Sequence, residues 1–394
     1  MADAPAFSAY LDHASTTPMR PEAVAAMLPF LTDRVGNPSG AHSLARAARR
    51  AIDDVRDVLA DALSAKPGEI VFTGGGTEAD NLAVTGVLRR RGGVGVCTAI
   101  EHHAVLTPIE AQHGRVVGVD ARGVVDLDAL TAALTPDVTL VSVILANNES
   151  GVIQPLADVA RLVRRHAPNA VLHTDAVQAF SWLDVAELAG HADLVSISAH
   201  KFGGPQGVGA LVVRDGVDLE PLLLGGGQER DRRSGTQNVA GIVAMGVAAA
   251  VTVERRVDTV ARVSALRDRL AKGLCALPGV YESGVSGPGF ESSATSSPDR
   301  SHKVASSCHL VIEGIESESL LFLLERSGIY ASAASSCASG AQDPSHVLAA
   351  MGVSRELAQG SLRLSLGWPT TDADIDHALN VVPQAIERLR SFGI

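Results

Sequence analysis

The chain has 394 residues, 46% of them hydrophobic and 20% charged, with a formal net charge of −11 at pH 7. That length can bury a large core and carries two or three structural units, while the acidic balance excludes a nonspecific nucleic-acid binder, which needs a basic footprint. No run of about 18 uninterrupted apolar residues occurs, so no membrane span is expected, and MADAPAFSAYLDHASTTP lacks the basic and apolar regions of a secretory signal.

From residue 43 onward, helical and strand-like patterns alternate. SLARAARRAIDDVRDVLADAL sets Leu44, Ala48, Ile52, Val55, Leu59 and Leu63 on one helical face, with Arg and Asp opposite. EIVFT (69–73) reads as a buried strand, TEADNLAVTGVLRRR (77–91) as a helix and VGVCTA (94–99) as the next strand. Helical AVLTPIEAQ, strand-like RVVGV and helical DLDALTAAL lead to the apolar strand TLVSVILA (139–146). PLADVARLVRRHA is a helix with Pro155 near its first turn, and AVLHT, DLVSIS and GALVV (209–213) are strands. This order predicts an α/β fold, a mostly parallel sheet sandwiched by helices, with ligands gathering at the carboxyl ends of the strands. An amphipathic stretch over 239–274, one helix or a broken pair, bridges to a smaller α/β unit of HLVIEG, SESLLFLLERSG, IYASA, SLRLSLG and a last helix from about 372. The Ser-, Gly- and Pro-rich stretch 283–307 can bury little apolar area and predicts a mobile surface loop. No internal repeat is present.

The chemistry-bearing residues fall at strand ends. VFTGGGTEADN runs from a strand through Gly74, Gly75 and Gly76 to Thr77, which opens a helix. Glycines let backbone approach an anion, and a helix N-terminus offers free N–H groups, so the stretch reads as a phosphate cradle or as a tight strand-to-helix turn. It matches neither a P-loop nor the dinucleotide fingerprint. Asp175 and Gln178 follow another strand, where the acid is a ligand partner or a helix N-cap. The next strand delivers Ser198, His200 and Lys201, the lysine being either a solvated strand-end charge or a reactive amine. His102 and His103 follow a third strand, without zinc-site spacing, and Asn147 and Asn148 follow a fourth. Pyridoxal 5′-phosphate (PLP) needs this set: a lysine for its aldehyde, an acid for its pyridine nitrogen, a flat side chain for its ring and a helix end for its phosphate.

The stretches YLDHASTTP, GNPSGAHS, FTGGGTEADNLA, EHHAV, NNESG, HTDAVQ, SAHKFGGPQGVGAL, GGGQERDRRSGT, SSCASG, PSHVLAAMG and SLRLSLG occur in order between residues 10 and 367. Together they resemble the NifS/IscS-type cysteine desulfurases, class-V members of the fold-type I PLP-dependent transferases. The resemblance implies a large PLP-binding domain (16–250), a small C-terminal α/β domain (251–394) and an N-terminal segment (1–15) joining the small domain. It implies that Lys201 holds the cofactor and moves the substrate Cα proton, a role for a lysine of lowered pKa. Asp175 then pairs the ring nitrogen, Gln178 reaches the ring hydroxyl, and His102 stacks on the ring and relays protons. Gly76, Thr77, Ser198 and His200 face the phosphate, and Thr236 reaches the phosphate of a neighbouring subunit, implying a homodimer with composite sites. Asn148 lies beside cofactor and substrate. Arg363, alone in an apolar strand, is read as a grip on the substrate carboxylate or as a structural ion pair, with Asn37 assisting.

Four cysteines, Cys97, Cys275, Cys308 and Cys337, are scattered without C-x-x-C or zinc spacing, which fits a reduced, cytoplasmic enzyme with no structural metal. Cys97 and Cys275 read as packing, and Cys308 precedes a strand. Cys337 lies among small polar residues, the tether a sulfur-carrying nucleophile needs. The implied reaction takes L-cysteine to L-alanine, holds the sulfur as a persulfide on Cys337 and passes it to an iron–sulfur scaffold or a tRNA-thiolation relay. The family's usual SGSACT around that cysteine is AASSCAS here, its SGHK is SAHK, and 283–307 replaces a shorter family segment. A selenocysteine lyase or a related aminotransferase needs no thiol at 337, and a catalytically silent regulatory homologue keeps the fold alone.

Overall fold

The computed structural model describes residues 7–285, 299–334 and 345–391. Strand β1 (Ala9–Tyr10) precedes helix α1 (Pro21–Leu31), which opens on a proline whose missing N–H costs nothing in a first turn. Helix α2 (Ser43–Ala62) is capped by His42, whose Nδ1 accepts the Ala45 N–H at 3.2 Å, and buries Ala45, Ala48, Ile52, Val55 and Leu59. Leu44, expected on that face, is 51% exposed, because the buried stripe starts one residue later, at Ala45.

The alternation then unfolds as β2 (Ile70–Thr73), α3 (Gly76–Arg91), β3 (Val94–Thr98), α4 (His103–Ala111), β4 (Arg115–Val117) and α5 (Leu127–Ala133). It continues as β5 (Val138–Ser142), α6 (Leu156–His166), β6 (Val171–Asp175), α7 (Val185–Leu188), β7 (Leu194–Ser198) and β8 (Gly209–Val213). These strands form one sheet in the order β2-β8-β7-β6-β5-β3-β4. Strand β8 runs antiparallel to both neighbours and the remaining pairs are parallel. Helix α3 covers one face, packing Ala79, Leu82, Ala83 and Val87 with Val71, Leu140, Val171 and Leu211. On the other face, residues of α2, α5 and α6 join the start of α8 (Val239–Leu274) in a second apolar layer.

Helix α8 is continuous over 36 residues, about 54 Å at 1.5 Å per residue. It buries Ile242, Met245 and Ala249 in the large core, and Val263, Leu266, Leu270 and Leu274 in a separate cluster. We place the division between the two units inside this helix. The second cluster is built on β9 (Val280–Glu282), β10 (Ser307–Ile312), α9 (Ser317–Arg326), β11 (Ile329–Tyr330), β12 (Ser361–Ser365) and α12 (Asp372–Ser391), while α10 (His346–Ala350) and α11 (Arg355–Ala358) bury Val347, Leu348 and Ala358 in two smaller clusters. Strands β12, β10 and β9 form an antiparallel sheet, and β1 pairs in parallel with β11. Among the described residues no helix is long and apolar enough to cross a membrane.

The described ends of 283–307 correct the surface-loop expectation. Ser283 and residues 303–307 are buried, and Lys303 Nζ meets Glu282 Oε1 at 2.9 Å while Arg300 Nε meets Oε2 at 2.6 Å. Composition missed this because ion pairs and backbone bonds, among them Ile153 N–H to His302 O, hold these residues in place of apolar area. The rest of the stretch lies outside the described residues.

Gly367, just past β12, admits the His13 ring against its backbone: an added Cβ would lie 2.2 Å from Nδ1 and 2.5 Å from Cγ. That ring is buried and fixed by Thr17 Oγ1 at 2.8 Å. Gly367→Ala should therefore cost about 1–3 kcal/mol of stability through overpacking, read as a lower urea midpoint with unchanged slope.

Candidate active site

The carboxyl ends of β3, β5, β6 and β7 open into a cleft of about 510 Å³ between the two units. Lys201 ends a single helical turn after β7, and its Nζ donates to the carbonyls of Ala14 (2.6 Å) and Ser15 (2.7 Å). Burial, reinforced by the nearby Arg363 guanidinium and opposed by Asp175 and Asp12, brings its pKa down to about 8. A solvated strand-end charge has neither these partners nor this environment.

Asp175 closes β6, where its Oδ1 accepts the Val177 N–H at 2.8 Å. Burial lifts its carboxyl to about 6 against the opposing pull of that bond and of Lys201. Two more buried carboxyls lie close by. Glu101 Oε1 accepts from Thr98 Oγ1 (2.6 Å) and the Ile144 N–H (2.8 Å), Oε2 has no partner among the described residues, and burial pushes this group up to about 8. Asp80, on the covered side of α3, is 1% exposed and is pushed up by burial and then by Asp175. His102 caps α4: its Nδ1 accepts the Ala104 N–H at 3.1 Å, which puts the proton of the neutral ring on Nε2. Burial and Lys201 lower its pKa to about 4, so the ring is neutral at neutral pH.

At the other end, α3 points its N-terminus into the cleft beside Gly76, Thr77, Ser198 and His200. A Cβ on Gly76 would come within 2.9 Å of Val177 Cγ2 and 3.4 Å of Ser198 Cβ, so only glycine keeps this corner open. The His200 Nδ1 lies 3.2 Å from Thr16 Oγ1, and Gln178 Nε2 donates to Ala14 O at 2.8 Å. Opposite the sheet, Arg363 of β12 donates from Nη1 to Asn148 O (3.0 Å) and from Nη2 to Asp12 Oδ1 (2.9 Å) and Ser15 Oγ (2.7 Å).

One cleft thus gathers Gly76, Thr77, His102, Asn148, Asp175, Gln178, Ser198, His200, Lys201 and Arg363. Asn37 and Thr236 do not line it: both are exposed, and Asn37 Oδ1 accepts the Ser39 N–H at 3.0 Å. Cys337 lies outside the described residues. Cys97 and Cys308 are buried and Cys275 is half-buried, and burial pushes all three thiols up, leaving them protonated and inert. Sequence reasoning passed over Asp12, Ser15, Asp80, Glu101 and Glu149. Only Glu101, directly before two histidines at a strand end, carried a signal that could have flagged it. Among the described residues, no three His, Cys, Asp or Glu side chains group as metal ligands.

The sequence profile of the aminotransferase class-V family matches residues 9–378. The chain belongs to that family, in its NifS/IscS cysteine desulfurase branch. It is 41% identical to cysteine desulfurase IscS of Methanosarcina thermophila, over 98% of this chain and 93% of that one. Its fold superposes on a NifS-like protein with a TM-score of 0.86 at 34% identity, covering 98% of this chain and 100% of the other. SspA, solved in complex with cysteine, gives 0.78 at 30% identity over 92% and 100%.

Class-V aminotransferases of this branch depend on PLP, and the cleft fits that cofactor. The glycine-lined corner at the α3 N-terminus suits a phosphate. Asp175, a carboxyl raised by burial, gains from a cationic ring nitrogen, and Lys201 is an amine brought within reach of neutrality.

Proposed function

We propose that this protein removes sulfur from L-cysteine, releases L-alanine and holds the sulfur as a persulfide on Cys337 for delivery to an acceptor. The observation that carries this reading is one cleft presenting Lys201, Asp175 and Arg363 together. PLP, when bound, supplies the electron sink that makes Cα deprotonation and Cβ–S cleavage accessible. Lys201 then holds the cofactor and exchanges the Cα proton at Nζ. Asp175 would keep the ring nitrogen protonated, His102 would stack on the ring, and Gln178 would reach the ring hydroxyl. Gly76, Thr77, Ser198 and His200 hold the phosphate, and Arg363, with Asn148 beside it, takes the substrate carboxylate. In the sulfur step the substrate C–S bond breaks, an S–S bond forms on Cys337, and Cβ gains the hydrogen that makes alanine.

The exposed Thr236 suits a homodimer in which each subunit completes the other's phosphate site. An iron–sulfur scaffold or a tRNA-thiolation relay accepts the sulfur. Cys337→Ala tests the assignment: alanine formation from L-cysteine should fall by about 100-fold or more, because the nucleophile for sulfur is gone, and no persulfide should remain after desalting. Undiminished sulfide and alanine production without added reductant would sink it.

A further inference from the structure

Arg363 can meet a carboxylate in two bidentate ways, side-on through Nε and Nη2 or end-on through Nη1 and Nη2. Both use Nη2. Here Nη2 already serves Asp12 Oδ1 at 2.9 Å and Ser15 Oγ at 2.7 Å, and Ser15 Oγ donates back to Asp12 Oδ1 at 2.8 Å. Nε, by contrast, is buried with no hydrogen-bond partner among the described residues. The guanidinium therefore offers a half-open fork: one free N–H beside one that faces an anion. Glu149, a carboxyl that lines the cleft, makes its hydrogen bond with Ser345 Oγ rather than with Arg363, and burial pushes its pKa up.

We infer that Asp12 is a built-in competitor for the substrate carboxylate, occupying Nη2 in the free site and yielding it when an amino acid binds. An incoming carboxylate oxygen on Nη2 meets the Asp12 oxygen at anion–anion distance unless Asp12 withdraws. Binding is thus weakened by the cost of parting the Asp12–Arg363 pair. In return, the grip is never a bare buried cation, and ligands with only a weak claim on Nη2 are turned away. The same exchange reaches the amine. Ser15, which closes the ring on Nη2, also offers its carbonyl to Lys201, so a shift of this segment on binding loosens a hydrogen bond of the lysine.

This inference rests on Arg363 being the carboxylate grip, and the experiment separates the two ideas. The PLP-loaded protein is titrated calorimetrically with L-alanine, which has the carboxylate, and with ethylamine, which lacks it. Asp12→Asn keeps the shape but removes the charge. It should bind L-alanine about tenfold more tightly, a loss of charge competition on the scale of a buried charged hydrogen bond, with ethylamine unchanged. Ser15→Ala, which removes the second acceptor on Nη2, should move L-alanine in the same direction by a smaller factor. Arg363→Ala should lose L-alanine selectively. If Arg363→Ala leaves L-alanine binding intact, the grip reading fails. If Arg363→Ala loses it while Asp12→Asn binds L-alanine equally or more weakly, Asp12 merely orients the arginine and the inference is overturned.

Discussion

Lys201→Ala yields a folded protein that binds PLP only reversibly and turns over L-cysteine about four orders of magnitude more slowly, the loss expected when nucleophile and general base go together. The variant removes the amine that the cleft has prepared. Nζ sits on two backbone carbonyls rather than on a carboxylate, so no ion pair among the described residues holds it protonated, and burial with the neighbouring Arg363 charge lowers its pKa to about 8. Covalent attachment of the cofactor needs the unprotonated amine. Its rate in cofactor-free protein should therefore rise with pH and level off above about 8, not near the 10.5 of a free lysine. Lys201→Arg separates chemistry from charge, keeping the cation and the reach but offering no nucleophile. Borohydride reduction followed by peptide mapping reads the outcome directly: the wild type carries the cofactor on the peptide holding Lys201, and neither variant does. An active Lys201→Arg, or a label on another lysine, would return position 201 to a solvated strand-end charge.

Most parts of this site that could be read from sequence share one property: each is a polar residue at a point where an apolar strand stops, while Arg363 was legible instead as a lone charge inside the apolar strand β12. Lys201, His102 and Asn148 follow β7, β3 and β5, Asp175 closes β6, and the alternating pattern that marks the strands also marks their ends. Asp12 and Ser15 have no such marker. They lie in a turn whose partners, Lys201 and Arg363, are 186 and 351 residues away in the chain for the bonds concerned, and no local periodicity encodes such a meeting. Asp80 was hidden differently. Helix α3 is buried along much of its length, so the second acid in TEADNLA reads as part of its solvent face when it points into the core. Helix α1 escaped because Pro21 and Pro29 interrupt its pattern, although a proline at a first turn is a helix start. The 300–307 stretch was misread because its burial rests on Arg300 and Lys303 meeting Glu282, a charge argument that composition cannot make.

Asp175→Asn should act on stability and on catalysis with opposite signs. In an unfolded chain an aspartate titrates near 3.9, whereas burial holds Asp175 at about 6 in the fold. Its folded value lies above its unfolded value, so ionisation in the fold is unfavourable. The stability of the cofactor-free protein falls as pH rises from about 4 to about 6 and is flat above that, a cost of about 3 kcal/mol at neutral pH. Asparagine keeps an oxygen for the Val177 N–H and carries no charge. Cofactor-free Asp175→Asn should therefore be the more stable protein at neutral pH, by up to that amount in urea unfolding, with the advantage gone near pH 4. With PLP bound the order reverses. The wild-type carboxylate gains a cationic ring nitrogen, so the cofactor stabilises wild type more than the variant, and alanine formation by the variant drops by roughly 1,000-fold because the electron sink is lost. An N-cap predicts something else: Asn caps as well as Asp, so a purely capping Asp175 would leave both activity and the cofactor's stabilisation unchanged on substitution. A carboxylate that burdens the empty fold and is needed only when the cleft is filled is one whose burial serves the ligand.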